Sequence, residues 1–261
     1  MTADLPPHDD YLAFAETLAN QSRKMLLAVK NHVPEIDIKS DASFVTTTDK
    51  AVETALRAMI QEAYPDHGIL GEEFDNVNID ADFVWVLDPI DGTAAFVAGI
   101  PVYGTLIGLA WHKQPYIGVI DHPVTSDRWT GVAGTMATHN GIDIRVRPCA
   151  SIETAYATCS NADFMTDAER VRFDVLRKRA QYVQYGGSCY SYGVLASGRT
   201  DLAIDSGLDS FDIYAPAAII QGAGGYVTDW NGDPLALDMA GHVLAAGDKS
   251  RLDEAVAILK G

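Results

Sequence analysis

Apolar residues recur at helical spacing in two segments near the start of the chain. The first stripe predicts a helix over about residues 8–32, and the second predicts a helix that begins near Asp49. Asp49 follows three threonines, a position from which its carboxylate would cap this helix. The apolar positions are Tyr11, Leu12, Phe14, Ala15, Leu18, Leu26 and Val29 in the first stripe, and Val52, Leu56, Met59 and Ile60 in the second.

Short apolar runs between about residues 67 and 160 predict strands, at 69–70, 85–87, 105–110, 116–120 and 155–158. From about residue 161, helical segments alternate with strand segments. Helices are expected at 166–180, 188–198, 212–222 and 249–259. Strands are expected between them, at 182–184, 201–205, 226–229 and 243–246. This alternation is typical of α/β architecture, so the pattern alone predicts a mixed α and β protein in two halves.

The length and the charge of the chain limit its class and its partners. Its 261 residues fit one large domain or two modest ones, and its apolar content of 48% is ordinary for a globular protein. The formal net charge of −17 argues against nucleic acid, which needs a basic surface, and against anionic membranes. We interpret most of this acidity as a contribution to solubility.

The cysteines and the start of the chain indicate a compartment. Three cysteines without close pairing are typical of a reducing cytoplasm rather than of a disulfide framework. The N-terminal segment has acids and prolines, unlike a secretory signal, and no apolar run reaches the length of a membrane span. The seven histidines form no close metal-binding pair, so zinc is not expected. We therefore expect a cytoplasmic protein that binds neither nucleic acid nor membrane.

The segment Trp85–Thr93 carries the strongest chemical signal in the chain. It places Asp88 and Asp91 on either side of a proline at the end of an apolar run, and Gly92 and Thr93 follow where a helix can begin. Paired carboxylates are hard ligands that suit Mg²⁺ or Mn²⁺, whereas a glycine and the N–H groups of a helix start favour an anion. Taken alone, the same residues also fit an ordinary polar turn.

Two further segments favour the metal-binding interpretation. A Gly-Glu-Glu segment lies upstream at 71–73, and Phe-Asp-Ile-Tyr-Ala at 211–215 opens an apolar stretch that ends in Gly-Ala-Gly-Gly at 222–225. In order and spacing, these segments and Trp85–Thr93 resemble the motifs of the inositol monophosphatase superfamily of Mg²⁺-dependent phosphatases, over about residues 11–259. The chain resembles the histidinol-phosphate phosphatase branch of this superfamily in five further segments, at 104–109, 118–123, 128–131, 185–193 and 205–208.

The resemblance implies a fold and an assembly. The fold is the layered α/β/α/β/α sandwich of the inositol monophosphatase and fructose-1,6-bisphosphatase type. An N-terminal α+β half, residues 1–150, would carry most of the metal-binding residues, and a C-terminal α/β half, residues 151–261, would carry the last of them and the substrate residues. The active site would lie between the halves, and the protein would be a homodimer.

The resemblance also implies which residues hold two or three Mg²⁺ ions, with Mn²⁺ as an alternative. Glu72, which would also take part in catalysis, would bind one ion together with Asp88 and the backbone carbonyl of Ile90. A second ion would be bound by Asp88, Asp91 and Asp212. Paired metal ions suit phosphate ester hydrolysis, because they activate the attacking water and stabilise the entering and leaving oxygens. No motif suggests a nucleophilic side chain, so we expect in-line attack by water.

Catalytic and phosphate-binding roles follow from the same resemblance. Thr93 and Asp49 match the pair that activates the attacking water, and the backbone N–H groups of Gly92 and Thr93 match the phosphate-binding site. Asp49 therefore has two interpretations, as a helix cap and as a member of this pair. Glu73 is a further candidate for a role in the site. The loop residue Lys39 is a candidate for binding the water shell of a third metal ion or the phosphate. Each also fits an ordinary exposed side chain.

The substrate end of the predicted site departs from the branch that it resembles. Asp205, Ser188 and Gly187 are placed to contact the substrate, but relatives in this branch usually carry Glu near 205 and Asp near 188. A basic residue commonly follows Asp-Gly-Thr, where this chain has Ala94, and Lys-Pro-Tyr often precedes the last aspartate, where this chain has Asp209-Ser-Phe. These changes leave the metal-binding residues untouched and bear on the identity of the substrate.

Three functions remain open from the sequence. The first is a Mg²⁺-dependent phosphomonoesterase that converts L-histidinol phosphate to L-histidinol in histidine biosynthesis. The second has the same chemistry and acts on an inositol, sugar or nucleotide phosphate, as the altered positions 94, 188 and 209 suggest. The third is a non-catalytic protein that binds a phosphorylated metabolite or a protein partner. It is disfavoured because the four carboxylates, Thr93 and Asp49 are all present.

Overall fold

Two large β-sheets and the helices packed on them make up the fold, which a computed structural model describes for residues 6–32, 34, 36–38, 44–238 and 240–260. Within these residues the helices are α1 Asp9–Val29, α2 Thr47–Ala63, α3 Thr93–Ala98, α4 Asp167–Arg179, α5 Ser188–Ala196, α6 Ser210–Gly222 and α7 Lys249–Lys260. The strands are β1 Ile36–Ile38, β2 Phe44–Thr46, β3 Gly68–Gly71, β4 Phe83–Asp91, β5 Gly104–Trp111, β6 Gln114–His122, β7 Asp127–Val132, β8 Met136–His139, β9 Ile142–Asp143, β10 Tyr156–Cys159, β11 Tyr182–Tyr185, β12 Leu202–Asp209, β13 Tyr226–Thr228 and β14 Ala240–Ala246.

The long helices lie close to their predicted positions. Helices α4 to α7 begin and end within two residues of their predicted bounds, and α1 ends three residues early. Helix α2 begins at Thr47, with Thr46 at the cap position, and the Asp49 carboxylate accepts the Thr46 N–H at 2.8 Å. Asp49 thus caps the helix from its third residue. In the part of the chain that the structure describes, no helix combines the length and the apolar character needed to cross a membrane.

The larger sheet has seven strands in the order β3-β4-β5-β6-β7-β8-β9, and only β3 and β4 are parallel. One face packs against α1 and α2 through a core that includes Leu18, Leu56 and Trp85. The other face packs against α5 and α6 through a core that includes Val86 and Ile120. Neighbours along β4 belong to different cores because successive side chains of a strand point to opposite faces.

The smaller sheet has five strands in the order β11-β10-β12-β14-β13. One face covers α5 and α6 with residues such as Ala203 and Val243, which join the same core as the larger sheet. The opposite face packs against α4 and α7, where Phe173 and Leu252 are buried. The layers are therefore α1 and α2, a sheet, α5 and α6, a second sheet, and α4 and α7. This is the predicted α/β/α/β/α sandwich.

Helix α6 lies close to the larger sheet because glycines line the strands beneath it. Gly118 and Gly131 are paired on β6 and β7. A Cβ atom at Gly118 would lie 2.1 Å from the Ala215 carbonyl oxygen, and one at Gly131 would lie 2.6 Å from the Ile219 Cα. Larger residues would push α6 away from the sheet. The close approach fixes the distance between the larger sheet and Asp212, which lies in the first turn of α6.

Several short elements were not predicted from the sequence. These are β1, β2 and the run β7 to β9, which extends the larger sheet beyond β6. Residues 68–143 build the larger sheet and residues 156–246 build the smaller one. Helix α6 packs against both sheets. The division of the chain into halves at residue 150 stays a prediction.

Candidate active site

The last residues of β4 form the turn that carries the paired aspartates. The pairing of β4 with β5 shifts register between Asp88 and Asp91. Pro89, which has no N–H to donate, is tolerated at such an irregularity. The Asp88 carboxylate accepts the Ile90 N–H at 3.0 Å. Gly92 then adopts a left-handed conformation, with φ of 77°, and α3 begins at the next residue. The predicted helix start after the aspartates is confirmed.

Three aspartates from two distant segments meet at this end of the sheet. Asp88 and Asp91 come from β4, and Asp212 comes from α6. One carboxylate oxygen of each lies within 4.8 Å of the other two. Asp88 is 2% exposed, and the other two are half-buried. Ligand oxygens on one Mg²⁺ ion are separated by roughly 3–4 Å at ordinary Mg–O distances. The three aspartates are therefore near the spacing at which they could share a divalent cation.

Burial and mutual repulsion disfavour the charged form of these carboxylates. The pKa of Asp88 is raised well above its usual value, first by burial and then by the charges of Glu72, Asp91 and Asp212. The pKa of Asp212 is also raised well above its usual value, by burial and then by Asp91. Burial likewise raises the pKa of Asp91. A divalent cation would remove this repulsion, and the hard oxygen donors fit Mg²⁺ or Mn²⁺.

Glu72 lies beside the aspartates, in the turn that follows β3. Its N–H donates to the Leu87 carbonyl at 3.2 Å, which ties the turn to β4. Its charge raises the pKa of both Asp88 and Asp212. Glu72 is therefore within electrostatic reach of the aspartate cluster.

The Thr93 hydroxyl lies between Ile90 and Asp49. It donates to the Ile90 carbonyl at 3.0 Å and lies 3.5 Å from Oδ1 of Asp49. The other Asp49 oxygen accepts the N–H and the hydroxyl of Thr46. Burial raises the pKa of Asp49, the bonds from Thr46 oppose this shift, and the charge of Glu73 adds to it. Asp49 is thus both a helix cap and a neighbour of Thr93, so its two interpretations are compatible.

Helix α5 begins against the turn that contains Gly92. Gly187 occupies its cap position, and Ser188 is its first residue. A Cβ atom at Gly92 would lie 2.9 Å from the Ser188 hydroxyl oxygen. The structure therefore brings Ser188 next to the predicted phosphate-binding turn, with Gly187 directly behind it.

Asp205 is buried in β12, and both of its carboxylate oxygens are hydrogen-bonded. One accepts the Ser160 N–H at 2.6 Å, and the other accepts the Tyr192 hydroxyl at 2.7 Å and the Ser160 hydroxyl at 3.3 Å. Burial raises its pKa, which these hydrogen bonds oppose. Asp205 also raises the pKa of Asp91, so its charge reaches the cluster. Its contact with a substrate stays a prediction.

The two weaker candidates have different positions. Lys39 lies outside the described residues. Glu73 lies in the turn after β3, where its N–H donates to Oε2 of Glu53 at 2.8 Å. A role for the Glu73 carboxylate in the site stays a prediction.

A comparison with known proteins identifies the family. The inositol monophosphatase family model matches residues 8–260. The chain belongs to this family. The chloroplastic bifunctional phosphatase IMPL2 of Arabidopsis thaliana is 36% identical, over 97% of this chain and 75% of that protein. A histidinol-phosphatase of Chlorobaculum parvum is 32% identical, over 79% and 80%. An inositol monophosphatase structure from Zymomonas mobilis is 34% identical, with a TM-score of 0.89 over 98% of this chain and 100% of that one.

Membership of the inositol monophosphatase family has direct consequences. The family and these relatives are phosphatases, so the chain is a phosphomonoester hydrolase, as its motifs predicted. The likeness to the Zymomonas mobilis structure confirms the fold class. The family is generally metal-dependent, and the aspartate cluster is an acidic donor set of the expected kind. The relatives are named for two different substrates, so the family alone does not select one.

The sequence did not reveal the contacts that hold Asp91 in this inositol monophosphatase family site. The Cys189 N–H donates to Oδ2 of Asp91 at 2.7 Å, and the Cys189 thiol lies 3.4 Å from Nε2 of the buried His122. Nδ1 of His122 donates to the Tyr103 carbonyl at 2.9 Å, so Nε2 is left to accept from the thiol. Burial lowers the pKa of His122 to about 4. The only signal in the sequence was that both residues fall in segments of the resemblance.

Proposed function

We propose that the chain is a Mg²⁺-dependent phosphatase that converts L-histidinol phosphate to L-histidinol, a step of histidine biosynthesis. The observation that favours this substrate is a second group of acidic residues, which lies beyond the aspartate cluster. Asp205 raises the pKa of Asp91, and the exposed Asp209 raises that of Asp212, so negative charge continues along β12. This field favours a phosphate ester whose other end is cationic, and histidinol phosphate carries an amine and an imidazole there.

In this proposal, Glu72, Asp88, Asp91, Asp212 and the Ile90 carbonyl hold two or three Mg²⁺ ions. When bound, these ions lower the pKa of the attacking water and stabilise the charge on the phosphate. The donor set supports this assignment, because it consists of hard oxygens whose three closest members lie within 4.8 Å of one another. The raised pKa values support it too, since they reflect a repulsion that a cation removes.

Thr93 and Asp49 would orient the attacking water and receive its proton. The Thr93 hydroxyl has two acceptors, the Ile90 carbonyl at 3.0 Å and Asp49 at 3.5 Å. Rotation of the hydroxyl hydrogen toward Asp49 leaves a lone pair on the Thr93 oxygen, which can then accept a hydrogen bond from the water. The N–H groups of Gly92 and Thr93 would bind the phosphate oxygens at the start of α3.

An inositol phosphate is the second candidate substrate, ahead of other sugar or nucleotide phosphates. Two observations favour it. The solved structure described above, 34% identical to this chain, is an inositol monophosphatase. Both oxygens of Asp205 are also engaged by Ser160 and Tyr192, which leaves them less suited to direct contact with an amine.

The choice can be tested by phosphate release with Mg²⁺ and with excess EDTA. The substrates are L-histidinol phosphate, myo-inositol 1-phosphate, fructose 1,6-bisphosphate and AMP. We expect kcat/KM for histidinol phosphate to exceed the others by at least about tenfold, which corresponds to about 1.4 kcal/mol of preferential binding in the transition state. A preference for inositol phosphate would change the proposed substrate and leave the proposed Mg²⁺-dependent hydrolysis unchanged. No Mg²⁺-dependent release from any of them would contradict the proposed function.

Asp205→Asn tests the second group of acidic residues, because it removes a charge and keeps the side-chain shape. We expect KM for histidinol phosphate to rise about fivefold, from the loss of roughly 1 kcal/mol of charge attraction, while KM for inositol phosphate stays unchanged. The asparagine oxygen can still accept the Ser160 N–H, so the fold should survive. Asp143→Asn, at an exposed position on β9, is the control. An equal change for both substrates would remove Asp205 from this argument.

We infer that the enzyme is a cytoplasmic homodimer that acts on a small phosphorylated metabolite. The resemblance supports the dimer, which light scattering on the purified protein can test. The three cysteines support the location, since all are buried thiols without disulfide partners, as is usual in a reducing compartment.

A further inference from the structure

One side of α2 contacts two separate parts of the active site. Asp49, Glu53 and Arg57 are spaced four residues apart, so their side chains lie on the same side of this helix. All three are buried, with exposures of 0%, 0% and 8%. Asp49 lies near Thr93, as described above, whereas the other two lie against the turn after β3. Charged side chains are rarely buried without a specific partner, so we expect Glu53 and Arg57 to have specific partners in this turn.

Glu53 joins the helix to the turn. Its Oε1 accepts from Nε of Arg57 at 2.7 Å, and its Oε2 accepts the N–H of Glu73 at 2.8 Å. Gly71 passes so close that a Cβ atom there would lie 2.2 Å from Oε1 of Glu53. Both carboxylate oxygens are therefore occupied, and the chain at residues 71–73 is held against α2.

Arg57 holds the next two residues of the same turn. Its Nη2 donates to the Phe74 carbonyl and its Nη1 donates to the Asp75 carbonyl, each at 3.0 Å. The guanidinium also lies 5.8 Å from the centre of the Phe74 ring. These carbonyls lie outside the β-sheet ladder, so side chains supply their hydrogen bonds. The rigid fork of arginine can reach two adjacent carbonyls, whereas the single ammonium of lysine lacks this fork.

Glu72 lies between the two attachments. On one side its N–H is bound to the Leu87 carbonyl of β4 at 3.2 Å, and on the other side residues 73–75 are held by Glu53 and Arg57. Any shift of the turn would move Glu72 relative to Asp88. We propose that Glu53 and Arg57 are positioning residues, which hold the turn so that Glu72 faces Asp88 at the distance that metal binding requires. This inference rests on the proposed role of Glu72 as a metal ligand.

Two substitutions test the inference from different directions. Glu53→Gln keeps the volume but replaces one carboxylate oxygen by an NH2 group, so either Arg57 or the Glu73 N–H loses the acceptor that it faces. Arg57→Lys keeps the positive charge beside Glu53 and removes the fork that holds the carbonyls of residues 74 and 75. Glu62→Gln, at an exposed position on the same helix, makes the same chemical change away from the site and is the matched control.

The measurements are calorimetric titration of the metal-free protein with Mg²⁺, and hydrogen exchange of the amides of residues 72–75. We expect both variants to bind Mg²⁺ about 10–100-fold more weakly, the usual cost of removing a partner that orients a metal ligand. The Glu73 amide should exchange faster in both. Saturating Mg²⁺ should restore kcat toward that of the original enzyme, because no catalytic group has been removed. The control should match the unaltered protein in every measurement.

The outcomes separate this inference from the proposed function. Unchanged Mg²⁺ affinity and unchanged exchange in a folded Arg57→Lys protein would overturn the positioning role and leave the proposed function intact. Because Arg57→Lys keeps the charge pair, it decides the matter even where Glu53→Gln lowers stability. A failure of the unaltered protein to bind Mg²⁺ or release phosphate would instead contradict the proposed function.

Discussion

Asp91→Asn and Asp212→Asn should each lower kcat/KM by at least about a thousandfold, or about 4 kcal/mol of transition-state stabilisation. Each change removes one negative charge from the three-oxygen cluster and weakens its attraction for a divalent cation. The loss is large because bound metal ions supply most of the charge stabilisation that phosphate transfer needs. Steady-state phosphate release over a range of Mg²⁺ concentrations measures it, and Asp143→Asn on the exposed strand β9 is the control.

Both variants should remain folded, which separates a loss of chemistry from a loss of structure. Asp91 accepts the Cys189 N–H, and Asp212 accepts the Asp209 N–H, each at 2.7 Å. An asparagine oxygen can accept the same bonds. Neutral side chains also relieve the repulsion within the cluster, so Tm without metal should be equal or higher. Near-normal Mg²⁺-dependent turnover in both variants would show that the cluster does not hold the catalytic metal.

The sequence predicted the elements that have a strong internal pattern. Helix α4 has a capping box and α6 is a long apolar segment, and the bounds of α4 to α7 were predicted to within two residues. The strands β1, β2 and β9 have two or three residues each, too few to show a period, and both residues of β9 are exposed. Such strands are defined by their pairing with a neighbour, which a pattern along one segment does not record.

The sequence predicted the candidate site residues that lie within motifs, and the structure brings several of them together. Asp88, Asp91 and Asp212 converge although the last is more than a hundred residues away. The hydrogen bonds that support these residues could not be predicted from the sequence, because they depend on which segments lie close together in the folded chain. The Ser160 N–H bound to Asp205 and the Cys189 N–H bound to Asp91 are backbone groups, which have no signature in the sequence. Glu53 and Arg57 could have been found only from their helical spacing after Asp49.

In the metal-free protein, the aspartate cluster should make the fold less stable as the pH rises. The pKa values of Asp88, Asp91 and Asp212 are raised in the folded state, so between the unfolded-chain values and these raised values the folded protein binds more protons than the unfolded chain does. Stability from this source is present in full at low pH and is lost as the pH rises through the raised pKa values. Above them, the folded protein carries repelling charges that the unfolded chain does not hold together.

Mg²⁺ should restore this stability by taking the place of the protons. A ligand that binds only the folded state adds about 2.7 kcal/mol at a hundredfold excess over its Kd, and it competes with protons for the same oxygens. We therefore expect Mg²⁺ to raise Tm by more at about pH 8 than at about pH 5, and EDTA to abolish both the gain and the activity.

Calorimetry with and without Mg²⁺ at each pH measures this linkage, and the difference between paired scans cancels the titration of groups elsewhere in the protein. Asp212→Asn serves as the internal comparison, because it removes one of the repelling charges. It should show a smaller gain from Mg²⁺ and a weaker dependence of metal-free stability on pH. An equal Mg²⁺ gain at both pH values, or in Asp212→Asn and the unaltered protein, would mean that the metal binds away from these aspartates.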